Sequence, residues 1–277
     1  MKNLIICIIA GSLLTTGCTK SVEALPTIMP EATTTVEMTA PEIKIDLETL
    51  EARVPILIYH HIREYRDSDS ANDRTFIVSP ANLREQLQYL KDNDYHPVSF
   101  QNLIDYFNGT FDLPPKSIII SFDDGLVNQY QNAFSLLAEF DFQATFFIFP
   151  NPIGKSINYM TWEQLAELRD AGMEIGSHGW YHQYLTRIND DELARELIRS
   201  KAVLEEQLGI KITAIAYPFG DLNNYVAEKI KDAGYLAARD IVNGVTHKSE
   251  DLFKLKGYFI TNDFNRFKSI VNKANHD

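Results

Sequence analysis

Cysteine is scarce in this sequence, and so is positive charge. The 277 residues include two cysteines, Cys7 and Cys18, so the chain after Cys18 has no disulfide available to it. Lys and Arg number 26 against 38 Asp and Glu, for a net charge of −12. Without a basic patch to neutralise phosphates, this balance argues against a nucleic-acid partner and disfavours a polyanionic sugar.

A long apolar run is also missing. The apolar stretch Leu4–Leu14 follows Lys2 and Asn3. It is too short to span a bilayer comfortably, which favours the core of a signal peptide over residues 1–17. The stretch ends in LTTGC, which resembles a bacterial lipobox whose leucine stands one place further upstream than usual. We therefore expect lipidation of Cys18 and an extracytoplasmic, membrane-anchored lipoprotein; ordinary secretion or an uncleaved anchor is the alternative.

The segment that follows has no aromatic residue. Between 19 and 52 it contains Pro26, Pro30 and Pro41, with seven acidic residues against two lysines. Such a composition does not build a packed core. We expect residues 18–52 to form an acidic flexible tether behind the lipidated cysteine. Residues 53–277 are then long enough for one domain with a sizeable core.

Two short segments carry the residues that indicate chemistry. The first is SFDDG at Ser121–Gly125, where the apolar run Lys116–Ser121 predicts a buried strand that ends at two adjacent aspartates. Successive side chains of an extended strand point to opposite sides, so Asp123 and Asp124 can take different roles. The second segment is EIGSHGWYH at Glu174–His182, a short strand followed by two histidines four residues apart.

One aspartate and two histidines suit a single divalent metal and leave coordination positions open, which is typical of a catalytic site. Zinc fits this ligand set, and cobalt, nickel or iron is also accepted. Each segment also has an ordinary structural interpretation, as a strand-to-turn junction or as surface histidines. Because both segments fall at the predicted C-terminal ends of strands, where sites of α/β folds gather, together they favour a metal-dependent hydrolase.

The motifs resemble those of a known family. SFDDG, SHGWYH at Ser177–His182 and AYPFG at Ala216–Gly220 are similar to the first three motifs of the polysaccharide deacetylases, metal-dependent carbohydrate esterases with a NodB homology domain. VPILIYHHI at Val54–Ile62 resembles the first strand of a subgroup that contains deacetylases of the biofilm polysaccharide poly-N-acetylglucosamine. The resemblance covers nearly the whole predicted domain.

This resemblance implies the roles of the site residues. Asp123 is expected to be the general base, and Asp124, His178 and His182 to be the metal ligands. Backbone N–H groups near Phe219 are expected to share the charge of the oxyanion. The further expected substrate contacts are Pro218, Tyr217 and Trp180.

The sequence departs from the family pattern at the general acid. Many relatives place a histidine late in the domain, but the corresponding stretch here, Phe253–Ile260, has none. His60 is our candidate replacement because the subgroup has a histidine at that position. Strand alternation predicts that His61 points to the opposite side.

The third motif departs as well. The family has an arginine two residues before the proline, in contact with the catalytic aspartate, and here that position is Ala216. Arg239 or Asp240 is a candidate to restore this contact, and a surface pair is the alternative.

Strand-like runs alternate with helical patterns along the domain. The clearest helix is predicted at Asp190–Leu208, where leucines line one face and Gly209 follows as the stop. Alternation alone permits an open doubly wound sheet, whereas the resemblance implies an α/β fold, an irregular (β/α) barrel of about seven parallel strands related to the TIM barrel. The polar stretch Arg63–Arg74 is expected to form a surface loop near the substrate entrance.

The expected function is the metal-dependent hydrolysis of N-acetyl groups in a polysaccharide. Poly-β-1,6-N-acetylglucosamine is the leading substrate and peptidoglycan the next; chitin oligomers and acetylated xylan are disfavoured. Two alternatives from other classes stay open: a non-catalytic sugar-binding surface lipoprotein and a purely structural surface protein.

Overall fold

A sheet of parallel strands forms the centre of the fold. The computed structural model of the chain describes residues 50–275, so the predicted signal peptide, Cys18 and nearly all of the predicted tether lie outside the described residues. The strands are β1 (Glu51–Arg53), β2 (Ile56–Tyr59), β3 (His61–Ile62), β4 (Ile77–Val78), β5 (His96–Pro97), β6 (Ser117–Asp124), β7 (Thr145–Ile148), β8 (Glu174–Ser177), β9 (Ala214–Ala216), β10 (Ala237–Arg239), β11 (Thr246–Lys248) and β12 (Tyr258–Phe259).

Seven of these strands lie in the order β10-β9-β8-β7-β6-β2-β12, every neighbouring pair is parallel, and β5 pairs with the start of β6. The two end strands β10 and β12 do not pair with each other. The backbone of Leu255 instead hydrogen-bonds Ala238 within β10 and Asp240 just after it. The predicted irregular barrel of about seven parallel strands is confirmed.

The central strand β6 shows why the sequence forms this sheet. Ile118, Ile119 and Ile120 are fully buried, as expected of a parallel strand that is covered on both faces. The burial continues to Asp123 and is relieved only at Asp124. The strand thus carries its two carboxylates to one edge of the sheet.

Helices cover the sheet. They are α1 (Ala71–Arg74), α2 (Pro80–Asp92), α3 (Phe100–Phe107), α4 (Val127–Gln129), α5 (Ser135–Phe140), α6 (Trp162–Asp170), α7 (Asp190–Ala194), α8 (Ser200–Leu208), α9 (Asn224–Asp232) and α10 (Phe264–Val271). Among residues 50–275, no helix has both the length and the apolarity that crossing a membrane requires.

The helix predicted at Asp190–Leu208 is present, but a π-helical turn at Arg195–Arg199 divides it into α7 and α8. Gly209 ends it in the left-handed conformation, with φ of 65°. At the N-terminal side, Glu51–Arg53 pairs antiparallel with β11. The last residues of the predicted tether therefore belong to the folded part, because the backbone of His247 and its neighbours offers them a strand partner.

Candidate active site

The candidate site lies where β6 and β8 end. Asp123 and Asp124 close β6, and His178 follows β8 directly. Asp124 adopts the left-handed conformation at φ 81° and Gly125 follows at 74°, so the chain turns sharply just after the aspartates. This conformation is costly for a non-glycine residue, and residues held in it cluster at active sites and ligand clamps.

Asp124, His178 and His182 bring one ligand atom each within 4.8 Å of one another. The Nε2 atoms of the two histidines are 3.2 Å apart. Asp124 Oδ1 lies 3.7 Å from Nε2 of His178 and 3.5 Å from Nε2 of His182. The three residues expected to hold a metal therefore face one common point.

The chemistry of these donors fits a divalent metal. His178 donates its Nδ1–H to the carbonyl of Ala216 at 2.8 Å, which leaves the Nε2 lone pair directed at the cluster. Burial lowers the pKa of His178 to about 3 and also lowers the pKa of His182, so both rings stay neutral as ligation requires. Burial, reinforced by the charge of Asp123, raises the pKa of Asp124 to about 7. A carboxylate so desolvated is one that a cation would stabilise.

Asp123 is held by an arginine. Arg239 Nη2 lies 2.6 Å from both carboxylate oxygens, and both side chains are buried. Burial alone raises the pKa of Asp123, but Arg239, His178 and His60 outweigh it, so the pKa is lowered and the carboxylate is ionised. The alternative of a surface pair is wrong, since Arg239 is fully buried. Asp240 instead accepts from the N–H of Ile241.

His60 Nε2 lies 3.8 Å from Asp123 Oδ2. His61 Nδ1 contacts the Asn128 side chain at 3.1 Å, yet His60 and His61 both line the cavity that lies above the candidate site. The expectation that His61 points away from the site is wrong, because β2 ends at Tyr59 and simple strand alternation does not continue through His60.

Gln129 was not singled out from the sequence. Its fully buried side chain donates from Nε2 to the carbonyl of His60 at 2.9 Å and to that of Asp123 at 2.5 Å. It thereby ties together the backbone positions of the candidate acid and base.

Above these groups lies a cavity of about 560 Å³ with two aromatic walls. On one side, Tyr184 stacks on Phe219 with ring centroids 4.0 Å apart and planes 10° apart. On the other side, Phe76 and Phe259 pack within 5.7 Å of each other. His60 lies 5.2 Å from the first of these rings and 5.4 Å from the second.

Of the four expected substrate contacts, Phe219 lines the cavity. Trp180 is buried beneath the guanidinium of Arg199, and the Tyr217 hydroxyl donates to the Phe253 carbonyl at 2.9 Å. Pro218 is buried too. The structure therefore does not bring the side chains of Trp180, Tyr217 and Pro218 to the cavity lining; they pack into the protein interior.

The polar stretch at Arg63–Arg74 borders the cavity as expected, and contributes Arg63 and Asp73 to its lining. Sequence reasoning missed Tyr184, Phe76 and Phe259. Phe259 lies in the stretch where the family pattern has a histidine, so the absence of that histidine was the available signal.

A model of the polysaccharide deacetylase family matches residues 111–238. The structure of the candidate polysaccharide deacetylase BA0330 from Bacillus anthracis is 30% identical in sequence, with a TM-score of 0.71 over 80% of this chain and 69% of that chain.

Two curated relatives are poly-β-1,6-N-acetyl-D-glucosamine N-deacetylases. The protein of Escherichia coli K12 is 26% identical over 230 residues, which cover 66% of this chain and 34% of the relative. The chain thus spans about a third of that protein. The protein of Staphylococcus epidermidis is 24% identical over 232 residues, which cover 75% of this chain and 78% of the relative.

Proposed function

Because the chain belongs to the polysaccharide deacetylase family, whose members are hydrolases, we propose that it is a metal-dependent N-deacetylase of N-acetylglucosamine units in an envelope or extracellular polysaccharide. The observation that carries the proposal is the convergence of Asp124, His178 and His182 within 4.8 Å, beside the ionised Asp123. Three protein ligands with open positions suit a catalytic zinc.

A divalent metal held by Asp124, His178 and His182 would supply Lewis acidity to the reaction. Asp123, kept ionised by Arg239, would accept a proton from the water that attacks the carbonyl carbon. The backbone N–H of Phe219 is proposed to stabilise the oxyanion that forms, because the N–H groups of Tyr217, Gly220 and Asp221 already donate to backbone carbonyls. The C–N bond then breaks, giving acetate and an amine.

His60 is proposed to deliver the proton to the leaving amine. Burial lowers the pKa of His60 to about 4, against an opposing effect of Asp123, so the ring is neutral before the reaction. We propose that the proton accepted by Asp123 reaches the amine through His60, whose Nε2 is 3.8 Å from that carboxylate. A neutral ring that becomes a strong acid when protonated suits this transfer.

We propose poly-β-1,6-N-acetylglucosamine as the substrate. The curated relatives from Escherichia coli and Staphylococcus epidermidis are named for this polymer, and the YHHI segment supplies the candidate acid. The cavity supports a neutral polymer, because its one lining Arg or Lys, Arg63, is paired at 2.8 Å with both carboxylate oxygens of Asp69. Among the residues that the structure describes, this lining thus offers no unpaired Lys or Arg side chain to the peptide carboxylates of peptidoglycan.

We also propose that the enzyme is a lipoprotein, lipidated at Cys18 and held outside the cytoplasm. The support is the apolar stretch followed by LTTGC and an acidic, proline-containing segment. Radiolabelled palmitate incorporated by the wild-type chain and lost in Cys18→Ser would support this, whereas equal labelling of both would contradict it.

Acetate release tests the catalytic proposal. Poly-β-1,6-N-acetylglucosamine oligomers and peptidoglycan are assayed in parallel with zinc present. We expect the wild type to release acetate from poly-β-1,6-N-acetylglucosamine. Asp123→Asn should bind zinc but release no acetate, and Asp124→Asn should neither bind zinc nor release acetate. Binding of oligomer without acetate release by the wild type would instead support a sugar-binding protein, and release only from peptidoglycan would overturn the substrate.

A further inference from the structure

The loop between the two candidate metal ligands is held by a carboxylate from another element. Glu196 Oε2 accepts hydrogen bonds from the backbone N–H of Trp180 at 2.7 Å and of Tyr181 at 3.0 Å, and its Oε1 accepts from Tyr181 at 3.0 Å. Both donors lie between His178 and His182. We propose that Glu196 is a positioning residue that sets the metal affinity of this site.

Burial makes this contact strong. Glu196 is 1% exposed, and both of its carboxylate oxygens accept hydrogen bonds from backbone N–H groups of the loop. A buried carboxylate is costly unless hydrogen bonds compensate for the lost water. Here the compensation comes from the loop's own N–H groups, so the carboxylate and the loop fix each other's position.

The conformation of the loop requires such a support. His182 itself is in the left-handed region at φ 59°, which is unfavourable for a non-glycine residue unless the surrounding structure holds it there. That conformation brings its Nε2 to 3.2 Å from Nε2 of His178. Relaxation of the loop would move His182 away from the other donors.

Gly179 shows that the loop is shaped around the carboxylate. Its φ is 77°, and a Cβ at this position would lie 2.6 Å from Glu196 Oε2. Glycine is thus required both by the backbone conformation and by the close approach of the carboxylate.

Glu196 projects from the π-helical turn Arg195–Arg199. A π-turn inserts an extra residue into a helix and is found frequently at functional sites. Here the turn carries Glu196, a buried acid that reaches the ligand loop.

The inference rests on the proposed metal site, and its test reads metal binding rather than activity. Zinc affinity of the full chain is measured by competition with a chromophoric chelator, and the geometry of the site by the visible spectrum of the cobalt-loaded protein. Glu196→Gln places an NH₂ group against N–H donors and releases the loop. We expect its zinc Kd to rise about 10- to 100-fold and its cobalt spectrum to change.

Glu174→Gln is the matched control. Glu174 also accepts backbone N–H bonds, from Phe100 at 2.8 Å and Gln101 at 2.9 Å, but it lies at the opposite end of β8. This variant should melt at a lower temperature without metal and keep the wild-type zinc Kd and cobalt spectrum.

Equal zinc affinity in wild type and Glu196→Gln would overturn the inference, as would an equal loss in Glu174→Gln. Absence of zinc binding in the wild type would overturn the metal site itself, and the inference with it. Gly179→Ala displaces the same carboxylate from the loop side and should show the same loss, so it replaces Glu196→Gln if that variant does not fold.

Discussion

Arg239 lies directly opposite Ala216 in the register of β10 and β9. Ala216 is the position where the family pattern has an arginine in contact with the catalytic aspartate. The guanidinium is therefore supplied by the neighbouring strand, and its Nη2 reaches both oxygens of Asp123 at 2.6 Å. The contact with the aspartate is kept although the residue that the motif expects is absent.

Removal of this guanidinium should disable the base. In Arg239→Met the buried Asp123 keeps the burial that raises its pKa and loses the largest effect that lowers it. Because the base must be ionised, the acid limb of the pH profile of kcat/KM should move to higher pH. Activity at neutral pH should fall about 100-fold or more.

The matched control is Arg84→Met, which breaks the exposed pair with Glu139 and should leave the profile unchanged. An unmoved acid limb in a folded Arg239→Met protein would show that Arg239 does not tune the base.

Substitution of His60 and of His61, one at a time, distinguishes a residue that transfers a proton from one that only lines the cavity. His60→Ala should lower kcat about 100-fold because the leaving amine loses its proton donor. His61→Ala should have little effect, since its ring contacts Asn128. Steady-state acetate release on one polymer measures both; a His60→Ala enzyme with full rate would remove His60 from the mechanism.

The stacked pair on the cavity wall should bind the sugar ring. Phe219→Ala and Tyr184→Ala remove faces of a stack whose centroids are 4.0 Å apart, so we expect KM to rise about tenfold with a smaller change in kcat. Tyr181→Ala is the control, because this side chain is 44% exposed and lies outside the cavity lining. Equal changes of KM in all three variants would argue against a specific role of the Tyr184–Phe219 stack in binding the sugar.

Acid stability should depend on His247, far from the reaction. Its Nε2–H donates to the Val54 carbonyl at 2.9 Å, and burial lowers its pKa to about 4 from 6.5. Between these values the unfolded chain binds more protons, so stability is lost as pH falls from about 6.5 to 4, by up to about 3 kcal/mol.

His247→Gln keeps an N–H donor but does not titrate. In urea unfolding over this pH range it should show a shallower loss of stability than the wild type. Parallel loss in wild type and His247→Gln would assign the acid sensitivity to other groups.

The sequence was most informative where one strand decides the position of a side chain. An apolar strand that ends in Asp123 and Asp124, and a second that ends before His178, determine which edge of the sheet carries the site. Prediction failed where the chain leaves regular structure. Trp180 follows a glycine at φ 77°, which turns its ring into the interior, and no periodicity indicates this.

Long-range partners were equally hidden. Glu196 and Arg239 reach the site from elements 16 and 116 residues away from their partners. Such contacts depend on the packing of the barrel, so a motif shows at most that a partner is missing.

The most direct measurement is an anomalous difference map at the zinc edge from crystals of the full chain grown with zinc. We expect one peak within bonding distance of Asp124, His178 and His182, and no such peak in crystals of Asp124→Asn. A map without a peak at these three residues, or with the same peak in the variant, would contradict the proposed metal centre.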